Sequence, residues 1–195
     1  MKSFSIIIPV KEINDYLHES VKYLLDLDYE DYEILILPNL EPSDLESIFI
    51  NDRVKILASG VVSPAKKRDI GAEHAKFEYL AFLDDDAYPP SEWLQAANKT
   101  ISEKNVVAIG GPGVTPPRSS LKETVSGLFY ETLIGCGGVT YRYRPAKEGF
   151  YVEDYPSVNL IIRKNAFMEV GGFDNSFWPG EDTKLCLELI KVGYK

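Results

Sequence analysis

Three consecutive carboxylates, Asp84, Asp85 and Asp86, come directly after an apolar run from Tyr79 to Leu83. Such a run predicts a buried strand, and the ligands of α/β proteins collect beyond the carboxyl ends of these strands. Alternate side chains can reach the same side of a turning strand, and hard oxygen donors suit a divalent cation that bridges substrate phosphates. The triplet therefore predicts a site where one carboxylate binds metal and another holds a ribose hydroxyl. The competing interpretation is that these aspartates cap the helix expected near Ser91 or are solvated in a turn.

A second acidic pair, Glu181 and Asp182, follows the turn sequence Trp178-Pro179-Gly180 and opens the last predicted helix. A carboxylate held at a rigid helix start can reach a substrate proton at hydrogen-bond distance, as a general base must. Acidic residues at such a position also stabilise the helix dipole, by about 0.3–1 kcal/mol, without any catalytic role. The residues alone leave both interpretations open.

The third candidate is the basic run Lys66, Lys67 and Arg68, in a helix that Ser63 would cap and Pro64 would begin. Successive helical positions point in different directions, so one of the three is expected to enter a site. Arg68 is the candidate, because a guanidinium pairs bidentately with phosphate or stacks on a base. Lys66 and Lys67 are expected to lie on a solvated helix face.

Six apolar runs predict the strands that position these residues, at 4–10, 34–37, 54–57, 79–83, 106–109 and 157–162. An apolar stripe after Asn14 and Asp15, one of which would be its cap, predicts a helix between the first two strands. Ser43 followed by Glu46 is a capping-box pattern that predicts a short helix. The alternation predicts right-handed crossovers and an α/β fold with a doubly wound parallel sheet. The alternation breaks at 110–150, where a loop-rich segment that binds substrate is expected.

Composition limits the class of protein. The chain has 195 residues, 45% of them hydrophobic, which predicts one folded domain over 1–195. A formal net charge of −9 argues against a nucleic-acid partner, which would need a basic surface. No apolar run approaches the roughly 18 residues that span a bilayer, and the N-terminus lacks a signal-peptide pattern. Cys136 and Cys186 have no metal-ligand spacing and are expected to be reduced thiols in the cytoplasm.

Motifs of several other enzyme classes are absent from the sequence. No Gly-x-Gly-x-x-Gly turn and no P-loop follows the first strand, which removes the usual dinucleotide and P-loop interpretations. No Gly-x-Ser-x-Gly elbow occurs, so a hydrolase triad has no support.

Taken together and in this order, the motifs resemble those of the inverting nucleotide-sugar glycosyltransferases of family 2, which have the GT-A fold. The resemblance covers almost the whole chain. Its motifs are the first strand at 5–10, a turn at 65–72 that is similar to Ala-Arg-Asn-x-Gly, the Asp-x-Asp motif at 84–86, and an acceptor-side signature at 171–174 and 180–182. The resemblance implies a Rossmann-like, mostly parallel sheet flanked by helices. It implies a nucleotide-sugar-binding half at 1–110 and a loop-rich acceptor-side half at 111–195.

The resemblance also implies a role for each candidate residue. Asp182 would be the catalytic base, and Asp86 would bind Mg²⁺ or Mn²⁺ on the donor diphosphate. Trp178 and Glu181 would lie on the acceptor side. The residues that would line the nucleotide-sugar pocket are Pro9, Glu12, Asn39, Arg68, Asp84 and Asp85. The donor would be a nucleoside-diphosphate sugar, and the acceptor a hydroxyl of a sugar, a lipid or a protein.

Two positions depart from the family pattern. Pro38-Asn39 replaces the common acidic pair, and Lys11 stands where an aromatic residue often stacks on uracil. The donor base is therefore left open. Asn39 is expected to offer both a hydrogen-bond donor and an acceptor to that base.

Two other functions fit the same sheet. A nucleotidyltransferase would share the metal carboxylates, but it would want a Gly-rich loop with Arg and Lys after the first strand, which 11–14 does not offer. A non-catalytic nucleotide- or carbohydrate-binding module would keep the fold alone, and the presence of both Asp86 and Asp182 speaks against it.

The last four residues, 192–195, follow a predicted helix end, so the natural chain is expected to continue beyond Lys195. Membrane association at the cytoplasmic face would come through that further region. The Gln-x-x-Arg-Trp motif of processive relatives is absent from this sequence, which leaves processivity open.

Overall fold

A computed structural model describes residues 1–116, 119–174, 176–177 and 179–195. Its centre is a six-stranded sheet with the strand order β3-β2-β1-β4-β6-β5. The strands are β1 (Phe4–Pro9), β2 (Tyr32–Leu37), β3 (Val54–Ile56), β4 (Tyr79–Leu83), β5 (Ala108–Gly110) and β6 (Asn159–Arg163). Each predicted strand is present, with bounds that differ by at most two residues, and the α/β, mostly parallel sheet is confirmed.

The sheet is mixed, because β6 runs antiparallel to both of its neighbours, β4 and β5. This strand is the antiparallel member of the mostly parallel sheet that was expected. The physical reason lies in the preceding segment, which leaves β5 at the carboxyl edge of the sheet. Since Asn159 pairs with Leu83 at that same edge, β6 enters where β4 ends and runs back.

Helices cover both faces of the sheet. The helices of the described residues are α1 (Asp15–Leu25), α2 (Pro64–His74), α3 (Trp93–Lys104), α4 (Leu121–Tyr130), α5 (Leu133–Cys136), α6 (Lys164–Glu169) and α7 (Glu181–Lys191). Apolar residues of α1 and α3 pack on one face, with strand residues such as Ile6 and Ile34. Those of α2, α6 and α7 pack on the other, with alternate residues such as Ile7 and Leu35. The period-two alternation of a strand thus divides one sheet between two apolar layers.

Helix starts follow the predicted caps at two places and differ at a third. The Asn14 side chain accepts from the Leu17 N–H at 2.8 Å, and Ser63 accepts from the Lys66 N–H at 3.1 Å, so both predicted caps are confirmed. The capping-box helix predicted at Ser43 is wrong, because only a 3₁₀ turn at Ser47–Phe49 forms there, without a side-chain cap. Asn51 and Asp52 follow at once and favour a turn, which leaves too few residues for a helix.

A true capping box lies in the segment that was expected to be loop-rich. Ser120 and Glu123 cap each other's backbone at the start of α4, and α5 and a 3₁₀ turn at Thr140–Arg142 follow. Every residue of α4 is at least partly exposed, including Val125 and Leu128.

Within the described ranges, no helix has both the length and the apolarity to span a membrane. Both cysteines are free thiols.

Glu33 is a buried carboxylate, 1% exposed, near the amino end of β2 and so away from the carboxyl edge. Its oxygens accept from the Ser5 hydroxyl at 2.7 Å, the Lys55 ammonium at 2.8 Å and the Lys76 N–H at 2.8 Å. Burial opposes the charge, but the bonds from Lys55, Lys76 and Ser5 outweigh burial and lower the pKa of Glu33. The residue ties β1, β2, β3 and the end of α2 together.

We expect Glu33→Ala to lower the free energy of unfolding at neutral pH by about 2–3 kcal/mol, because three donors lose their acceptor. Urea denaturation measures the difference, with the exposed neighbour Glu30→Ala as the control, expected within about 0.5 kcal/mol of wild type. Because the pKa of Glu33 is lower in the folded state than in the unfolded state, ionised Glu33 stabilises the folded state at pH values above its unfolded-state pKa. This contribution is lost as the pH falls through the folded-state pKa. The gap between wild type and variant should therefore shrink in acid, and a gap that is constant with pH would contradict this assignment.

Candidate active site

The loops that follow β1, β2 and β3 meet at the carboxyl edge of the sheet and are joined there by backbone hydrogen bonds. The Asn39 N–H donates to the Lys11 carbonyl and the Gly60 N–H to the Asn39 carbonyl, both at 3.0 Å. Pro9 is buried at the end of β1, whereas Glu12 is exposed in the loop beyond it. Predicted pocket residues from separate strands thus lie at one edge, as the sheet topology requires.

The three aspartates after β4 have three different environments. One oxygen of Asp84 accepts from the Arg68 guanidinium at 2.8 Å, and Arg68 is only 5% exposed. Asp85 accepts from the Asn14 amide at 2.6 Å, and Asn14 is also the cap of α1. Asp86 is exposed and has no hydrogen bond or ion pair with any residue that the structure describes. Asp84 and Asp85 therefore fix the loop through contacts with other residues, whereas Asp86 is exposed to solvent.

Asp84 is half-buried beside Arg68. Burial raises the pKa of Asp84 above its ordinary value, although the Arg68 guanidinium acts in the opposite direction. Arg68 also lies with its Cζ 5.9 Å from the centre of the Phe173 ring. The pair thus connects the end of β4 to the Gly171-Gly172-Phe173 turn.

A metal ion would have to be held partly by its substrate. Across the described ranges, no three Asp, Glu, His or Cys side chains are placed so that they could hold a metal ion. A lone carboxylate with both oxygens open, as Asp86 has, fits Mg²⁺ or Mn²⁺, because such ions are commonly bound by one or two carboxylates together with phosphates.

Lys67 is a residue of this edge whose burial was not predicted from the sequence. It was expected on a solvated face with Lys66, but Lys67 is only 3% exposed while Lys66 is exposed. Its ammonium donates to the carbonyl of Val10, to the carbonyl of Leu37 at 3.0 Å and to the Asn39 side-chain oxygen at 2.7 Å. Burial lowers the pKa of Lys67. The three acceptors lie at the ends of β1 and β2, so the ammonium joins the two strands at the carboxyl edge of the sheet.

A signal for this placement was present in the sequence. Gly71, one helical turn after Lys67, packs against the sheet so closely that a Cβ there would lie 2.6 Å from Ile7 Cγ2. Residues four apart share one face of a helix, so the small residue at 71 marks position 67 as facing the sheet.

The Gly171-Gly172-Phe173 turn is held against α2. The Phe173 N–H donates to Asp69 Oδ1 at 2.9 Å. Gly172 has φ of 72°, and a Cβ there would lie 2.7 Å from the same Asp69 oxygen. Only glycine therefore fits this position well, which explains the second glycine of the pair.

The two carboxylates at the start of α7 differ in environment. Glu181 is 5% exposed, and its Oε2 accepts from the Gly180 N–H at 3.1 Å, which fits the helix-terminus interpretation. Asp182 is half-buried, and its Oδ1 is fully buried with no hydrogen-bond partner in the described part of the chain. A buried carboxylate oxygen without a donor is costly, and such groups often mark functional sites. Trp178, the other acceptor-side candidate, lies outside the described residues.

The loop-rich segment is attached to α7 through Asp154, which the sequence analysis did not single out. Its carboxylate accepts from the Tyr141 hydroxyl at 3.1 Å, the Arg142 guanidinium at 2.7 Å and the Thr183 hydroxyl at 2.9 Å. Burial opposes the charge, but the bonds from Arg142 and Thr183 outweigh it and lower the pKa of Asp154. A cavity of about 420 Å³ lies here, lined by Gly138, Val139, Tyr141, Val152, Glu153, Asp154, Thr183 and Leu187. The residue next to Asp182 thus borders an open space.

Known proteins share both the sequence pattern and the fold. Over 131 residues, the chain is 31% identical to the pre-mycofactocin glycosyltransferase of Mycobacterium tuberculosis, covering 67% of this chain and 27% of that protein. It is 23% identical over 201 residues to the GalNAc(5)-diNAcBac-PP-undecaprenol beta-1,3-glucosyltransferase of Campylobacter jejuni, covering 98% of this chain and 60% of that one. The chain therefore spans 27% to 60% of the length of these two relatives.

A solved structure has the same fold. The mannosyltransferase PcManGT of Pyrobaculum calidifontis, in complex with GDP-Man and Mn²⁺, superposes with a TM-score of 0.70 at 15% identity, covering all of this chain and 53% of that one. Its fold supports the GT-A architecture.

The family assignment rests on the extent of the sequence match. The profile described as Glycosyl transferase family 2 matches residues 5–175, from the first strand through the Gly171-Gly172 turn. The matched family is one of glycosyl transferases and not of nucleotidyltransferases. With the sheet, the acidic triplet and the basic helix all inside the matched range, this chain belongs to glycosyl transferase family 2.

Proposed function

We propose that this glycosyltransferase moves a sugar from a nucleoside-diphosphate sugar to an acceptor hydroxyl with inversion, and that the reaction depends on Mg²⁺ or Mn²⁺. The observation that carries the proposal is the division of the acidic triplet. Asp84 and Asp85 each bond to a protein partner, whereas Asp86 keeps both oxygens open beside them. A rigid loop that holds one open carboxylate is what a shared protein–phosphate cation site requires.

In this proposal the donor nucleotide binds along the carboxyl edge, in the half formed by 1–110. Pro9, Glu12 and Asn39 lie in or beside the loops after β1 and β2, where a base and ribose would fit. Arg68 and Asp84, joined at 2.8 Å, would lie towards the ribose and diphosphate. Asp85 would act indirectly on the donor, because its hydrogen bond with Asn14 fixes the loop against the start of α1.

Asp86 would hold the cation on the donor diphosphate. When bound, the ion would neutralise the negative charge that builds up on the departing nucleoside diphosphate. The solved structure of PcManGT contains Mn²⁺ with GDP-Man, which agrees with this role.

Asp182 would act as the general base on the acceptor side, in the half formed by 111–195. It lies beyond the matched family range, so its role rests on its environment. Its Oδ1 is buried and receives no hydrogen bond from any described residue, and because the side chain is only half-buried, the acceptor hydroxyl would approach the other carboxylate oxygen. Removal of that proton during attack from the face opposite the leaving group gives inversion. Glu181, whose oxygen bonds to the Gly180 N–H, would fix the helix start, and Trp178 would complete the acceptor side.

A panel of nucleotide sugars tests the proposal. UDP-, GDP-, CDP- and dTDP-sugars are incubated with the protein and simple alcohol or saccharide acceptors, and release of the nucleoside diphosphate is measured with Mn²⁺ and with EDTA. We expect release from one class of donor in the presence of Mn²⁺ only. Equal release in EDTA and in Mn²⁺ would show that the reaction does not need a metal ion. Formation of pyrophosphate from a nucleoside triphosphate and a sugar phosphate would show that the protein is a nucleotidyltransferase instead.

A further inference from the structure

We propose that Lys67 determines which nucleobase the donor carries, by fixing the Asn39 side chain so that it presents N–H donors to the base. The inference rests on the proposed function, because it assumes that a nucleotide binds at the ends of β1 and β2. It concerns a contact that the sequence pattern does not predict.

The first step is the chemistry of the ammonium. A lysine ammonium has three donors and no acceptor. All three find an oxygen here, on Val10, Leu37 and Asn39, inside a site where the lysine is 3% exposed. A buried donor that loses its acceptor is costly, so each of the three bonds is strongly favoured.

The second step is the orientation of the Asn39 amide. Its two ends are nearly the same shape, and the hydrogen-bond network decides which end is oxygen. The end of the amide 2.7 Å from the Lys67 ammonium must be the oxygen, because both an amide nitrogen and an ammonium are donors and would repel each other there. The amide nitrogen therefore points away from Lys67, and it makes no hydrogen bond within the part of the chain that the structure describes.

The third step is the position of that nitrogen. Asn39 is half-buried, and its backbone bonds to Lys11 after β1 and to Gly60 after β3. The amide thus lies between loops at the edge where the base is expected. The Asn39 oxygen is bonded to a buried positive charge that also repels an incoming N–H, so the amide presents chiefly its N–H donors to the base.

The consequence concerns the hydrogen-bonding edge of the base. Cytosine has a ring-nitrogen acceptor in the middle of its edge, where uracil and guanine have an N–H donor. The Asn39 N–H can therefore donate to the ring nitrogen of cytosine. Uracil and guanine must instead place a carbonyl oxygen against Asn39, and their ring N–H needs an acceptor elsewhere on the protein. A carboxylate at position 39 would reverse the preference, with one oxygen on Lys67 and the other free to accept an N–H.

Calorimetry of UDP, GDP and CDP with Mn²⁺ tests the inference on wild type and on Asn39→Asp, which has nearly the same shape. We expect the ratio of UDP to CDP affinity to rise by at least about tenfold in the variant, the discrimination that one mismatched hydrogen bond at a base edge gives. GDP should follow UDP. Equal changes in all three affinities, with an unchanged ratio, would overturn the inference.

Lys67→Met supplies a second measurement. With the ammonium gone the amide can rotate, so we expect the UDP-to-CDP ratio of this variant to move towards one. Lys66→Met, at the exposed neighbour, is the matched control and should keep the wild-type ratio. If Lys67→Met does not fold, Asn39→Asp decides alone. Absence of nucleotide binding in the wild type would instead refute the proposed function, and the inference with it.

Discussion

Asp182→Asn is expected to lower the rate of sugar transfer by about 10²–10⁴-fold, which is the usual contribution of a positioned general base. Asparagine has nearly the same shape as aspartate but cannot take the proton of the acceptor hydroxyl. The helix start should persist, because Glu181 still bonds to the Gly180 N–H. Affinity for the donor nucleotide should therefore stay at the wild-type value.

Transfer is measured under saturating donor with radiolabelled sugar, and nucleotide affinity by calorimetry. The matched control is Asp52→Asn, an exposed aspartate before β3 and so at the opposite edge of the sheet, which should transfer at the wild-type rate. A rate within threefold of wild type for Asp182→Asn would assign the base to another residue. Loss of nucleotide binding in that variant would place Asp182 on the donor side.

Asp86→Ala is expected to abolish the part of nucleotide affinity that depends on Mn²⁺. Asp86 is the member of the triplet without a protein partner in the described ranges, so its removal breaks no contact that holds the loop. Titration of UDP and GDP in Mn²⁺ and in EDTA measures the metal-dependent gain directly. The thermal midpoint should stay close to that of the wild type.

The matched control is again at Asp52, now Asp52→Ala. If nucleotide affinity in Asp86→Ala still rises with Mn²⁺ as in wild type, the metal assignment is removed. If binding is lost together with a large drop in thermal stability, Asp86 holds the loop and the cation site lies elsewhere.

Much of the fold could be predicted because it depends on local patterns. Buried strands read as apolar runs, and the caps at Asn14 and Ser63 need only side-chain oxygens three residues before a free N–H. The direction of β6 could not be read in this way, because it depends on where the preceding segment returns. The Ser43 pattern failed for a related reason, since a cap stabilises a helix only where enough residues follow.

The candidate site was predictable in its residue types and less so in its contacts. The triplet at 84–86 was found from the strand before it, but its division among Arg68, Asn14 and solvent depends on two distant helices. Lys67 was misplaced because lysine is rarely buried, and only three converging oxygens make its burial acceptable. Asp154 had no motif, because its partners come together only in the folded loop.

The antiparallel strand β6 has a consequence for how such enzymes can diversify. Gly110 pairs with Leu160, and the Gly111 N–H donates to the Asn159 carbonyl, so 111–158 starts and finishes on adjacent rungs of one ladder. Because the two ends of this segment are already paired in the sheet, the segment can be lengthened, shortened or exchanged at little cost in loop-closure entropy. Grafting the corresponding segment of another relative onto these two rungs should therefore leave the rest of the sheet unchanged.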